Sequence, residues 1–189
     1  MSNLQRRFHF HNDVAEYNVC ISRYLQGDST INNVCVGAVI FGNDEGSRML
    51  LIQRTKNDFG GLMWEVPGGA CEQEQDETIL HSVAREVWEE TGLHVRSVRR
   101  LVDAVHFVID TAGEQFNHRW RKLTFEVEIE EGYGSCDQGL RTSVDQSIKL
   151  DPKEHEDWGW ATEKEVEDRA WEKGELGRAI RGGLHSKQH

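Results

Sequence analysis

Three glutamates, Glu86, Glu89 and Glu90, stand at i, i+3 and i+4 within the stretch Arg85-Glu86-Val87-Trp88-Glu89-Glu90-Thr91-Gly92-Leu93. On an α-helix that spacing turns their side chains towards one face. Like charges so placed repel, so the trio is poor design for stability alone. A hard divalent cation held by their oxygens would offset the repulsion. A metal so held suits chemistry on a phosphate-bearing anion.

The elements that must position these residues can be read on either side. Ile79, Leu80, Val83, Ala84, Val87 and Trp88 recur at three- and four-residue spacing, which predicts a helix over 78–90 with one apolar stripe. Gly92 supplies the left-handed conformation that ends such a helix. Upstream, Met63-Trp64-Glu65-Val66 reads as a short strand stopped by Pro67. Gly68-Gly69 then lets the backbone turn sharply with N–H and C=O groups exposed. A glycine turn feeding a helix that bears carboxylates suits a metal-bridged phosphate. The competing reading is an ordinary amphipathic helix with a solvated acidic face.

Residues 68–93 resemble the Nudix box, written G-x5-E-x7-R-E-U-x-E-E-x-G-U with U aliphatic. Glu77, seven residues, and then Arg85 to Leu93 match it without a gap. One departure stands out: seven residues separate Gly69 from Glu77 where the family has five, and Asp76 replaces the glycine often found before the loop glutamate. The resemblance implies an α/β fold, a Nudix-like α/β/α sandwich with a mixed curved sheet and the box helix packed on it. It implies metal-dependent hydrolysis of a diphosphate linkage. Mg2+ or Mn2+ would be held by Glu86, Glu89 and Glu90, with a backbone carbonyl from Gly68 or Gly69. One carboxylate must take a proton from water, and Glu86 is left as ligand or base. Arg85 is expected to pair with a loop or helix carboxylate and fix its rotamer.

The rest of the chain follows the same order. Residues 34–41 read as a buried strand, and 48–54 as its hairpin partner across the turn chemistry of 42–46. Residues 95–109 are strand-like with room for a bulge. In 120–129 a clean alternation puts Leu123, Phe125, Val127 and Ile129 inward and Thr124, Glu126 and Glu128 outward. Residues 132–150 read as a long loop bordering a site. The segment from Asp151 to Trp160 resembles the acidic-His stretch and tryptophan-bearing strand of many Nudix domains. By that likeness Glu154 joins the metal site, with Glu156 second. Thr162 to Glu165 is a capping box opening a further helix through Val166 and Ala170. Arg54, Arg119 and Arg121 are candidate phosphate contacts, with ordinary surface charge as the alternative.

Residues 1–33 read as an N-terminal extension, 34–181 as the Nudix-like domain and 182–189 as a disordered tail. Within the extension two readings stay open: a helix opened by an Asp13–Glu16 capping box and ended by Gly27, or an extended 16–20 followed by a short helix capped by Ser22. His9 and His11 flank Phe10 as a strand would present them, rather than as a metal pair.

The net charge of −11 argues against binding to a nucleic-acid polymer or an anionic membrane. The partner expected is a small-molecule diphosphate, and assembly as a homodimer is left open. Cys20, Cys35, Cys71 and Cys136 lack zinc-site spacing and read as free thiols in a reducing compartment. The first residues lack the apolar core of a secretory signal, so the expectation is cytoplasmic, with the nucleus open. The prolines and tyrosines that mark the ADP-ribose and dinucleoside polyphosphate classes of the family are missing: the prolines are Pro67 and Pro152, and the next tyrosine after the box is Tyr133. Nucleotide sugars, oxidised nucleoside triphosphates, diphosphoinositol phosphates and isoprenoid diphosphates remain. Two other classes stay open, a binding or regulatory module and a non-hydrolytic catalyst drawing on Cys71 or His81.

Overall fold

Local signals decide the helix at the centre of the molecule. In the computed structural model, which describes residues 7–42, 48–58, 60–109, 118–130, 144–162 and 164–165, helix α2 spans Ile79–Thr91. (Helix α1, Ile21–Gln26, precedes it in the chain.) Thr78 caps α2, its side chain accepting from His81 N–H, and Gly92 closes it at φ 70°. Ile79, Leu80, Val83 and Val87 are buried. Trp88 is not: it breaks the predicted stripe and stays 40 % exposed.

The strands form two sheets. A mixed four-stranded sheet runs in the order β1 (His9–Phe10), β5 (Val95–Ile109), β6 (His118–Ile129), β2 (Asn33–Ile40). Strand β1 is parallel to β5 and β2 is parallel to β6, while β5 and β6 are antiparallel with three register shifts, the irregularity that the sequence allowed for. An antiparallel three-stranded sheet has the order β4 (Trp64–Glu65), β3 (Met49–Arg54), β7 (His155–Ala161). The expected β2–β3 hairpin is therefore corrected. Those strands lie in different sheets, joined at a Phe41–Met49 bridge and by Gly42 N–H donating to Arg48 O at 2.8 Å. Both are apolar because both faces are covered: Val36, Ala38, Ile40 and Leu50 join the core shared with α2, whereas Val39, Met49 and Leu51 join a second cluster with Val66 and Ala161.

The same layering explains β6. Leu123, Phe125, Val127 and Ile129 enter the main core as predicted. Thr124 lies on the other face, yet it is buried, as is Lys122. Both pack over Gly37, where an added Cβ would sit 3.0 Å from Lys122 Cε and 3.3 Å from Thr124 Oγ1.

The N-terminal segment forms a 3-10 helix at Asn12–Tyr17 and helix α1 at Ile21–Gln26, ended at Gly27. The second of the two open readings is the nearer, although Cys20 and not Ser22 occupies the cap. Val14, Ile21 and Ile31 are buried in the main core. Helix α3, Val144–Ser147, is tied to β7 by Trp160 Nε1 donating to Asp145 at 2.7 Å. The capping box forms, with Glu165 accepting from the Thr162 N–H at 2.8 Å. The helix expected beyond it, residues 43–46 of the expected turn, residues 132–143 of the loop expected over 132–150 and the tail lie outside the described residues, and the described end of that loop holds α3. Among the described residues no helix is long and apolar enough to cross a membrane.

Candidate active site

The free edge of β2 holds the glycine turn. Ala38 N–H donates to Pro67 O at 2.8 Å, Val36 N–H to Gly69 O at 2.8 Å, and Cys71 N–H to Val34 O at 3.0 Å. Two glycines are required by this approach. At Gly68 (φ 157°) a Cβ would lie 2.2 Å from Val36 O, and at Gly69 it would lie 2.8 Å from the Glu86 carboxyl. The Gly68 N–H donates to Glu90 Oε2 at 2.6 Å, so the turn and the helix are clasped directly.

Below the turn, Arg85 is buried among acceptors. It gives Nε to Asp76 Oδ1 at 2.8 Å, Nη2 to Asp76 Oδ2 at 3.0 Å and to Ala70 O at 2.9 Å, and Nη1 to Glu89 Oε2 at 2.8 Å. Its Nη1 also lies 2.9 Å from Glu86 Oε1. Asp76 is completed by Ser82 Oγ at 2.7 Å and Glu72 N–H at 2.8 Å. Arg85 thus pairs with one loop carboxylate, Asp76, and two helix carboxylates, Glu86 and Glu89. Glu77, the residue aligned with the box glutamate, is 83 % exposed at its side chain. Burial pushes the Asp76 carboxyl up, but its bonds to Arg85, the Glu72 N–H and Ser82 outweigh this and hold it below the ordinary value.

Glu86 and Glu90 are in the opposite condition. Burial lifts Glu86 to about 7 in spite of Arg85. Burial lifts Glu90 well above the ordinary carboxylate range, opposed by the Gly68 N–H and reinforced by Glu65 and Glu86. Buried carboxylates short of positive charge are what a bound cation compensates. One ligand atom each from Glu90, Glu154 and His155 lies within 4.8 Å of the others. The donor set thus fits a divalent cation.

These groups line an open cleft of about 650 Å³ with Gly68, Gly69, Glu72, Arg85, Glu86, Trp88, Glu89, Glu90, Asp151 and Glu154 on its walls. Arg54 also lines it, its guanidinium paired to Glu65 at 2.5 Å and to Asp58. Arg119 and Arg121, expected as phosphate contacts, do not line this cleft. Arg119 Nε donates to Thr30 O at 2.8 Å, and Arg121 pairs with Asp28 at 2.5 Å and with the Tyr24 hydroxyl at 3.1 Å. Glu156 faces the Lys56 N–H at 3.3 Å and is absent from the cleft lining. Cys71, pushed up to about 12 by burial, and His81, bonded to Thr78 Oγ1 at 2.8 Å, also lie off the cleft.

Sequence reasoning missed Asp76, Trp88 and His155. Only His155 carried a usable signal, its place beside Glu154 in the acidic-His segment.

A family model described as NUDIX domain matches residues 32–180. The chain belongs to the NUDIX domain family. It is similar to a MutT-like protein of Streptomyces ambofaciens, 45 % identical over 65 residues, which are 34 % of this chain and 37 % of that protein. It is also similar to the CMP-5'-(N-acetyl-N-hydroxy-3-aminopropyl)phosphonate hydrolase of Streptomyces rubellomurinus, 36 % identical over 84 residues, 41 % of this chain and 39 % of that one. The chain thus spans well under half the length of these two curated relatives. Its fold matches the crystal structure of the MutT protein from Methanosarcina mazei Go1 at TM-score 0.57 and 23 % identity, covering 85 % of this chain and 98 % of that one. Within this NUDIX domain, then, box helix, glycine turn and Glu154 share one cleft.

Proposed function

We propose that the NUDIX domain hydrolyses a diphosphate linkage in a nucleoside diphosphate-X or a related organic diphosphate, using Mg2+ or Mn2+. The observation that carries this reading is the convergence of Glu86, Glu89, Glu90 and Glu154 on one cleft, with Glu86 and Glu90 buried and short of compensating charge. Glu89, Glu90 and Glu154 are the proposed ligands. The Gly68 carbonyl joins them, since that of Gly69 already accepts from Val36. A divalent cation, when bound there, offsets the phosphate charge and acidifies water.

The chain's own residues do the rest. Arg85 fixes Glu89 and Glu86 through its two contacts and is itself anchored by Asp76. The Gly68 N–H fixes Glu90. Glu86, at the cleft wall and oriented by Arg85 Nη1, is the carboxylate that would accept the proton of the attacking water. Arg54 stands at the cleft wall with Glu65 and Asp58 sharing its charge, so it steers an anionic substrate less than a bare guanidinium would. The name of the CMP-phosphonate relative puts nucleoside diphosphate-X compounds first among the substrates to try.

The test is cleavage of a panel of nucleotide sugars, oxidised nucleoside triphosphates, isoprenoid diphosphates and CMP conjugates, with Mg2+ or Mn2+, read as the two phosphate-containing products that hydrolysis of the P–O–P linkage leaves. Wild type turns over at least one of these, and Glu89→Gln and Glu90→Gln lose about 100-fold or more. A wild type that binds metal and releases nothing sinks the hydrolase reading and favours a binding module.

A further inference from the structure

His155 lies under the cleft floor at the start of β7, buried to 1 % exposure. Neither Nδ1 nor Nε2 has a hydrogen-bond partner. A buried imidazole with both nitrogens bare is rare, because each forfeits its bond to water with nothing in return. Nε2 stands 3.7 Å from Glu90 Oε1 and 3.5 Å from Glu65 Oε1. Glu65 Oε1 also receives Arg54 Nη1 at 2.5 Å, so that oxygen is shared between a guanidinium and the imidazole. Glu90 Oε2 accepts the Gly68 N–H, which leaves Oε1 turned to His155.

The backbone holds this arrangement before any ligand arrives. The N–H groups of Glu154 and His155 both donate to Asp151 O, at 3.1 and 2.9 Å, in a tight turn. Thr55 N–H donates to Glu154 O at 2.8 Å, and His155 is in register with Arg54. Two consecutive residues, one exposed and one buried, are thereby set beside Glu90 with ligand atoms within 4.8 Å. Donors around one octahedral ion at bonds of about 2.1 Å stand roughly 3 to 4 Å apart, so small side-chain turns suffice to close on it.

We infer that His155 is a nitrogen ligand of a divalent cation shared with Glu90 and Glu154, and that this position selects Mn2+ and other transition divalents over Mg2+. Imidazole nitrogen binds transition ions well, whereas Mg2+ keeps to oxygen and water. The inference rests on the metal site of the proposed function and adds the identity of the metal to it.

The experiment loads the full chain with one equivalent of Mn2+ and reads nitrogen hyperfine coupling by pulsed electron paramagnetic resonance. Titrations of Mn2+ and Mg2+ accompany it. Wild type shows the coupling, and His155→Gln and Glu154→Gln lose it. His155→Gln also lowers Mn2+ affinity about tenfold or more while Mg2+ affinity changes less. Should His155→Gln fail to fold, the exposed Glu154→Gln and the wild-type spectrum still decide. Oxygen-only coordination in wild type, or coupling that survives His155→Gln, overturns the inference and leaves the hydrolase reading standing. A chain that binds neither ion overturns both.

Discussion

Asp76 shows how much one carboxylate can organise. Its side chain is wholly buried and meets Arg85 twice, Ser82 once and the Glu72 N–H once. Asp76→Asn leaves the Arg85 charge buried beside a neutral amide, and breaking such a pair costs about 3 kcal/mol or more. Urea denaturation should show that loss, and metal-supported hydrolysis should fall with it as Glu89 loses its brace. A pH series adds a signature. The Asp76 pKa is depressed in the folded state, so its contribution is complete above the unfolded value of about 3.9 and is lost as pH falls through the folded value. The variant should show a flatter fall in stability between neutral pH and acid than wild type. That Arg85 would pair with a carboxylate was legible beforehand; that the partner would be Asp76 was not. Glu77 keeps the box spacing, and the two extra loop residues hide the fact that its neighbour turns inward. The partners of Arg119 and Arg121 were hidden for a related reason: charge alone does not say which acceptor a chain ninety residues away will offer.

At the scale of the element, helix α2 was legible because its period, its Thr78 cap and its Gly92 stop are all written within fifteen residues or so. The sheets were not. An apolar run such as β2 announces burial on both faces and leaves its partner open, and β6 rather than β3 lies beside it. Nor does sequence show that residues 67–71 bond to the edge of β2, although this pairing is what delivers Gly68 to Glu90. The pairing yields a graded prediction for glycine. Gly68→Ala forces a Cβ against the Val36 carbonyl, an overlap that backbone cannot relieve cheaply. It should cost about 1–3 kcal/mol and most of the metal affinity. Gly69→Ala meets only the Glu86 side chain, so it should keep the fold better while displacing that carboxylate and depressing turnover. Gly159→Ala, with nothing within 4 Å of its added Cβ, should be silent in both. Thermal melts beside metal titrations of the three variants read the gradient, and equal effects at Gly68 and Gly159 would refute the clasp.

The whole molecule sets stability against function. Residues 7–33 are part of its core through Val14, Ile21 and Ile31, and Arg121 ties them down through Asp28 and Tyr24, away from the cleft. Arg121→Ala should therefore speed hydrogen exchange in residues 24–32 and leave kcat/KM near wild type, whereas an arginine that touched substrate would raise KM. The cleft works in reverse. Glu86 and Glu90 are buried with their pKa values raised by desolvation, so without a cation the folded state carries charge that it would rather shed. Removing one such charge should stabilise the metal-free protein, as happens where active sites are strained for activity. Glu90→Gln should thus melt above wild type in chelator by an amount on the order of 1 kcal/mol. Added Mn2+ should reverse the order: an ion at about 100 times its Kd stabilises wild type by about 2.7 kcal/mol, and the variant, short of one ligand, gains less. A crossing of the two melting curves between chelator and Mn2+ is the expected outcome. Parallel curves would mean that the acidic face carries no metal and pays no penalty without one.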